Sequence, residues 1–448
     1  MKFLYTTIYK ALAFSVFLLL ISAVAPAQRN TDSPYSQFGA GLIERGGFNG
    51  NYGMGGAGIA WRPYQYRPVV YDSLSRSNAK LNDRGTNYIN PSNPASFSNI
   101  SLTTFEAGLH NRNTQYTSNG QERAGSTTQL SHMSLGFPLG EKWGMAIGIL
   151  PFSSVGYDYT FNSSVNSVNT NSSFEGSGGV NRVFVGTGVL LNKNFSLGVT
   201  SNFLFGNIKE NRRIVFDNTN TEFFNTLDNS EIIVSDLSFD FGLQYFKDVN
   251  NKSRIILGLK VSPFEGINAT ENRYLRNYTG AVGLEDFRDT VFQSEDVRTS
   301  IPIRPTYGLG FAFEKKLNYI VFLDYTYQLM DQATRVSGIL LSTNHSVNLG
   351  FEKYSKTSSF GSFLNKLGYR TGLLYNSSLL SIDGKDVEEI GISFGLSVPL
   401  RKTFSTLNFG LQMGRRGMDG NGLVQEDFFN FMFGVTINDK WFIQRKYD

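Results

Sequence analysis

Few residues in this chain are equipped for chemistry, and their types narrow what it can do. There is no Cys, so disulfides, Cys-ligated zinc, iron–sulfur clusters and a cysteine nucleophile are excluded. A lipoprotein anchor, which needs a Cys at the mature N-terminus, is excluded too. The three histidines, His110, His132 and His345, are scattered, which argues against a His-rich metal site. No Ser–His–Asp spacing stands out, so a hydrolase reading is weak and no catalytic residue, metal or cofactor is assigned. The run Gly53-Met54-Gly55-Gly56-Ala57-Gly58 invites a dinucleotide-fingerprint reading, but no strand–helix frame surrounds it. What remains is recognition. Guanidinium groups such as those of Arg182, Arg254 and Arg370 pair well with a carboxylate and could hold an anionic head group.

The elements that would position these residues are strands. From about residue 100 onward apolar side chains recur at every second position. Ile390, Ile392, Phe394, Leu396 and Val398 alternate with Gly391, Ser393, Gly395 and Ser397. Leu407–Met413, Phe429–Ile437 and Leu237–Tyr245 read the same way. Period two sends alternate residues to opposite faces. The second face is mostly Gly, Ser, Asn and Thr rather than charged, which suits a barrel wall with lipid outside and a watery lumen inside. The aromatic-rich, Gly-rich composition agrees, because Gly and aromatics are indifferent helix formers.

Fourteen strands are expected, beginning near Ile100, Thr127, Trp143, Asn181, Phe195, Glu231, Ser253, Thr299, Tyr319, Asn344, Lys366, Val387, Phe404 and Glu426. Short connections (140–142, 192–194, 247–252, 314–318, 399–403) alternate with long polar ones, with 355–365 longer than the pattern predicts. That alternation matches the short periplasmic turns and long extracellular loops of outer-membrane barrels. Trp143, Tyr157, Tyr159, Tyr325, Tyr327, Trp441 and Phe442 suit interfacial girdles. The aromatic last strand suits recognition by outer-membrane insertion machinery.

Met1–Ala27 reads as a cleaved signal peptide: Lys2 and Lys10, an apolar core from Ala11 to Val24, and Ala25-Pro26-Ala27. The apolar core is too short to span a bilayer. Residues 28–99 carry Gly runs and prolines with little alternation and read as a hatch or plug, and 100–448 as the barrel. The near-neutral balance of 41 Lys+Arg against 37 Asp+Glu argues against nucleic acid as a partner.

Parity points Glu106, His110, Arg182, Asp240, Arg254, Lys260, Asp324, Glu352 and Arg370 into the lumen. It also points Phe184, Leu204, Ile256, Phe322 and Leu374 inward, where together they could line a greasy slot or pack against the hatch.

Gly53–Gly58 followed by Asn93-Pro94-Ala95, just before the first strand, resembles the N-terminal hatch of the FadL/TodX family. Ser33-Pro34-Tyr35-Ser36-Gln37-Phe38-Gly39 and Asn438-Asp439-Lys440-Trp441-Phe442 resemble its Bacteroidota branch. The resemblance implies a fourteen-stranded barrel with a hatch in the Gram-negative outer membrane. The partners it implies are outer-membrane lipid and a hydrophobic small molecule, of the long-chain fatty-acid type, taken up passively and released sideways through the wall. In that family the hatch lies against an inward kink of the third strand. That places Asn93, Pro94 and Ala95 beside Ile149–Gly156, where Pro151 removes a ladder donor and Gly148 and Gly156 permit a kink. An insert of about 35 residues after the Gly run departs from the family. The other reading left open is a structural or docking barrel in a larger outer-membrane assembly or secretion complex.

Protease added to intact cells should cut within 111–126, 158–180, 207–230, 263–298 or 415–425 and spare Lys193 and Lys315. Preferential cleavage at those two lysines would invert the topology.

Overall fold

In a computed structural model of the chain, the described residues are 31–44, 47–63, 88–165, 168–216, 223–329, 335–336, 339–341, 343–355, 363–377, 380–382, 384–400, 405–420 and 423–439. The signal peptide, most of the insert, and Trp441 and Phe442 lie outside them. No helix among the described residues is long and apolar enough to cross a membrane.

The wall is a closed antiparallel barrel of fourteen strands. In chain order they are β1 (Thr103–Ser118), β2 (Gln121–Pro138), β3 (Trp143–Val165), β4 (Val168–Leu190), β5 (Phe195–Phe216), β6 (Asn225–Asn250) and β7 (Ser253–Ser262). Then follow β8 (Thr306–Lys315), β9 (Tyr319–Gln328), β10 (Asn344–Lys353), β11 (Gly368–Asn376), β12 (Glu389–Pro399), β13 (Thr406–Arg416) and β14 (Gln425–Asp439). Each pairs with its sequence neighbours, and β14 returns to β1 from Thr103↔Asp439 to Thr117↔Gln425. Closure leaves no sheet edge in the lipid, where an unpaired backbone group would cost several kcal/mol.

The expected faces are found. Phe394 and Phe431 are exposed, while Ser393, Asn408 and Asn430 are buried inward. Two features differ from expectation. The segments read as long loops at 111–126, 158–180 and 207–230 are largely continuations of the strands; their apolar alternation fades because both faces have left the lipid. Tyr157 and Tyr159 are not girdle residues. A bulge between Pro151 and Ser153 shifts the pairing of β3 with β4, and one extra residue reverses every facing after it. Trp143 and Ile147 face lipid before the bulge, whereas Val155 and Tyr157 are buried after it. The Tyr159 hydroxyl donates to Gln37 at 2.6 Å.

The wall is uneven in height. Strands β3 to β6 run 22 to 26 residues, whereas β7 to β10 run 10 each. At about 3.3 Å per residue and about 40° of tilt, one side rises roughly 30 Å above the other. The 263–298 connection is a hairpin whose first arm, Ile267–Thr279, pairs with the upper part of β6.

On β10, Leu349 is exposed to lipid and Asn348 lines an internal cavity. Leu349→Arg should cost about 2–4 kcal/mol near mid-membrane, and Asn348→Arg clearly less, in folding titrations in lipid vesicles. Equal costs would refute the register.

Candidate functional site: the lumen and the β2/β3 seam

The N-terminal residues pack inside the wall. Among the described residues their regular structure is two short 3-10 turns, Pro34–Gln37 and Pro94–Asn99, one helical turn, Asn49–Tyr52, and the two-residue strand Leu42–Ile43. The turn after the Gly run meets β9: the backbone N–H groups of Gly58 and Ile59 donate to the Asp324 carboxylate at 2.6 and 2.8 Å. Asn51, Asn90 and Asn93 stitch the segment to itself; Asn90 Nδ2 donates to Gly58 O at 2.7 Å and Asn93 Nδ2 to Ile59 O at 2.9 Å.

The apolar residues expected to line one slot are divided among separate places. Phe184 packs with Phe48 and Phe97. Leu204 belongs to a cluster with Val155, Tyr157, Val180, Ile208 and Val234. Ile256 and Phe322 pack with Met54, Ala57, Ala60 and Trp61. Leu374 stands apart from all three, in contact with the position of Gly391. All five are buried in packing, and none lines the internal cavity of about 410 Å³.

The three arginines differ as well. Arg370 donates to Glu352 at 2.8 and 3.1 Å and to Ser397 at 2.7 Å. Arg254 stacks on Phe246 at 4.4 Å, on a ring that also carries Arg62 at 4.4 Å. Arg182 alone of the three lines that cavity of about 410 Å³, with Nη1 3.8 Å from Asp240.

Asn93-Pro94-Ala95 does not lie beside Ile149–Gly156. Asn93 Nδ2 reaches Leu243 O and Leu259 O at 3.2 and 3.3 Å, and the Ala95 carbonyl accepts from Ser196 at 2.7 Å. Pro94 fills the space over Gly198 and Gly242. The motif therefore seats on β5–β7. These two wall glycines let its backbone approach, as a Cβ on Gly198 would come 2.3 Å from the Pro94 carbonyl carbon.

What faces Pro151–Gly156 instead is the first stretch of chain, 31–44. The β2/β3 ladder exists only from Met133↔Ile149 to Pro138↔Gly144. Above it, Gln121–Leu130 pairs with β1 and Pro151–Val165 with β4, but not with each other. Pro151 stands at the foot of this seam and has no N–H to offer. Gly148 is in the last paired stretch, opposite Ser134. The short strand Leu42–Ile43 pairs with β3 in the gap, Leu42↔Ser154 and Ile43↔Ser153, and Glu44 N donates to Phe152 O at 2.9 Å. Higher up, Gly156 N donates to Ser36 Oγ at 3.0 Å. Gly156 also makes room for Thr31, whose carbonyl oxygen would lie 1.8 Å from a Cβ there.

Glu44, which the sequence reading missed, spans the seam. Its carboxylate accepts from Arg112 of β1 at 2.8 Å, Gln129 of β2 at 3.3 Å and Ser154 of β3 at 2.9 Å. Burial pushes its pKa up, but the Arg112 guanidinium with the other donors prevails and brings it to about 2. A cavity of about 410 Å³ abuts this place, lined by Leu42, Ile43, Pro151 and Phe152 on one side and Arg182, Asp240 and Lys260 on another. No cluster of His, Asp and Glu among the described residues could hold a metal ion.

The hydrogen bonds to Glu44 involve a charged acceptor, worth about 1.5–3 kcal/mol. Because the folded pKa is depressed, their contribution is fully present above the ordinary carboxylate range and is lost as pH falls from about 4.5 towards 2. Glu44→Gln should loosen 31–44 at pH 7, read as faster proteolysis there, and remove the pH dependence over that window. An unchanged acid profile would refute the clasp.

The solved structures to which the chain is similar include the following three. The Ralstonia pickettii toluene transporter TbuX shares 13% identity at a TM-score of 0.53, covering 88% of this chain and 98% of that one. A Pseudomonas aeruginosa FadL homologue shares 12% at 0.52, covering 89% and 99%. The Pseudomonas putida toluene transporter TodX shares 14% at 0.50, covering 91% and 98%. At such identities the likeness establishes the fold alone, the fourteen-stranded barrel that the FadL/TodX resemblance implied. No curated protein matches. The family described as BamG matches residues 80–448, which takes in every wall strand, and the chain belongs to the BamG family.

Proposed function

We propose that this barrel is a passive outer-membrane channel for hydrophobic small molecules, with 31–62 and 88–100 as its hatch and the β2/β3 seam as its lateral exit. The observation that carries the reading is the coincidence of three features at one place: the missing ladder above Met133↔Ile149, the donorless Pro151, and the cavity beside both. A hydrophobic solute gains roughly 25 cal/mol per Å² of apolar surface by passing sideways into lipid rather than down into water. The polar half of the cavity gives such a solute little to hold on to, which favours passage over storage. The substrate class, including fatty acids, rests on the fold likeness and on this chemistry.

Exit requires Leu42–Ile43 to leave β3. Ile43 and Ser153 are direct cross-strand partners, a spacing a disulfide tolerates. With no native cysteine, Ile43→Cys with Ser153→Cys makes a single possible bridge. Oxidation should abolish uptake of a labelled hydrophobic compound, and reduction restore it, with the barrel folded throughout. Equal uptake in both states would sink the channel reading.

A second reading, a docking subunit of a larger outer-membrane assembly, is favoured by a different observation. The wall rises on one side only, and its top carries the exposed apolar side chains Val282, Leu284, Val291, Phe292 and Val297. A solute channel has no need of them. A native-size measurement after mild extraction tests it: a monomer would refute it.

A further inference from the structure

The hairpin above β6 has an unusual second arm. Asp286–Ile301 pairs with Ile267–Thr279 on one edge and with no other strand among the described residues. Nearly every residue of the arm is exposed, although it runs to 16 residues. An isolated hairpin arm normally hides one apolar face. Here both faces carry large apolar groups. Phe292 stands opposite Leu275 and Val297 opposite Glu271, on one face; Phe287 stands opposite Tyr278, on the other. Phe292 is 49% and Val297 47% exposed, and Leu284 at the tip is 79% exposed. Tyr278 and Arg276 touch Phe287, yet the described residues leave both faces of the arm largely exposed.

The free edge is not built for strand addition. Three register shifts fall within the arm, and Asp296 sits at φ 53° in the left-handed region. Bulges of this kind blunt an edge against pairing with another chain, a second copy included. Recognition must go through side chains. The arm also carries a charge signature: Asp286, Asp289, Glu295 and Asp296 against Arg288 and Arg298, a net of −2. Asp286 is met by Arg288 at 2.8 Å, leaving the surplus on the remaining carboxylates.

We propose that the 267–301 hairpin is a finger that inserts into a cleft of a second protein outside the cell, one with an apolar floor and a rim of Lys and Arg. Both faces of the arm are buried in that complex, which a flat partner could not achieve. The acidic surplus selects a basic rim and sets the association rate more than the final affinity. The proposal rests on the docking reading and names its contact surface; the channel reading stands or falls without it.

The test uses the full chain in its native outer membrane. A photo-crosslinking residue is placed at Leu284, and at the lipid-facing Leu309 as control. A single adduct is expected at Leu284 and none at Leu309. Its partner peptide, mapped by mass spectrometry, should hold apolar residues flanked by Lys or Arg. Phe292→Ser with Val297→Ser should cut the adduct at least tenfold. Asp289→Lys with Glu295→Lys should slow its formation at low salt, with heat-modifiable migration showing every variant folded. No adduct, an adduct of two copies of this chain, an adduct to lipid alone, or one indifferent to both variant pairs would overturn the proposal. If the extracted protein is still part of a larger complex when the hairpin gives no adduct, the finger fails and the docking reading survives. If it is monomeric, both fail.

Discussion

Backbone hydrogen bonding in lipid is the constraint on which the rest of this structure depends. A wall strand can satisfy its N–H and C=O groups only from its two neighbours. The β2/β3 ladder stops short of this, at Met133↔Ile149. The freed edge of β3 is not left to lipid or water. Leu42–Ile43 pairs with it, Glu44 N takes the Phe152 carbonyl, and Ser36 takes Gly156. The N-terminal segment is thus part of the wall's hydrogen-bond closure as well as a filling for the lumen. Glu44 extends this role from backbone to side chain, because its three donors come from three different strands.

Filling the lumen sets a second demand, that irregular backbone lie close against strands. Small residues on the inner face meet it. A Cβ on Gly372 would stand 2.2 Å from the Met54 carbonyl carbon, so that position has no room for a side chain. Where the backbone cannot touch, a side chain answers its polar groups: Asp324 accepts from successive N–H groups at Gly58 and Ile59. This explains why the inner face is so poor in free charge. Arg370 answers Glu352, and Arg416 answers Glu389 and Glu426 at 3.2 and 2.9 Å. Paired in this way, an inward arginine supports the packing instead of waiting for a ligand.

These demands separate what could be read in the sequence from what could not. Strand number, facing and closure are local: period-two alternation at Phe394 or Phe431 reports which side meets lipid, and nothing distant alters it. The bulge beside Pro151 was half legible. Proline marks a missing donor, but the extra residue that turns Tyr157 inward is fixed by pairing with β4, which alternation alone does not encode. The seats of Asn93-Pro94-Ala95 and of Phe184, Leu204 and Ile256 depend on contacts tens to hundreds of residues apart in the chain. So does Glu44, whose only local sign is an acid directly after the apolar pair Leu42-Ile43. Polar strand extensions such as Asn162–Ser164 looked like loops because both their faces see water.

The seam and the tall side of the wall share a strand. β3 forms one lip of the seam and is also the first of the four long strands, so the opening lies at the foot of the raised sheet. Arg123 of β2 donates to the Asp158 carbonyl of β3 at 3.1 Å, closing the seam again at its top. The opening is therefore bounded below by the ladder, above by this contact, and inside by Leu42–Glu44. Any force applied to the raised sheet is carried along β3 to the edge that holds the N-terminal strand. A protein seated on that sheet would be placed to bias the seam without touching it, since β3 is continuous from Trp143 to Val165. The channel and docking readings are thus mechanically compatible, with the same long strand serving as the lip of one and the support of the other.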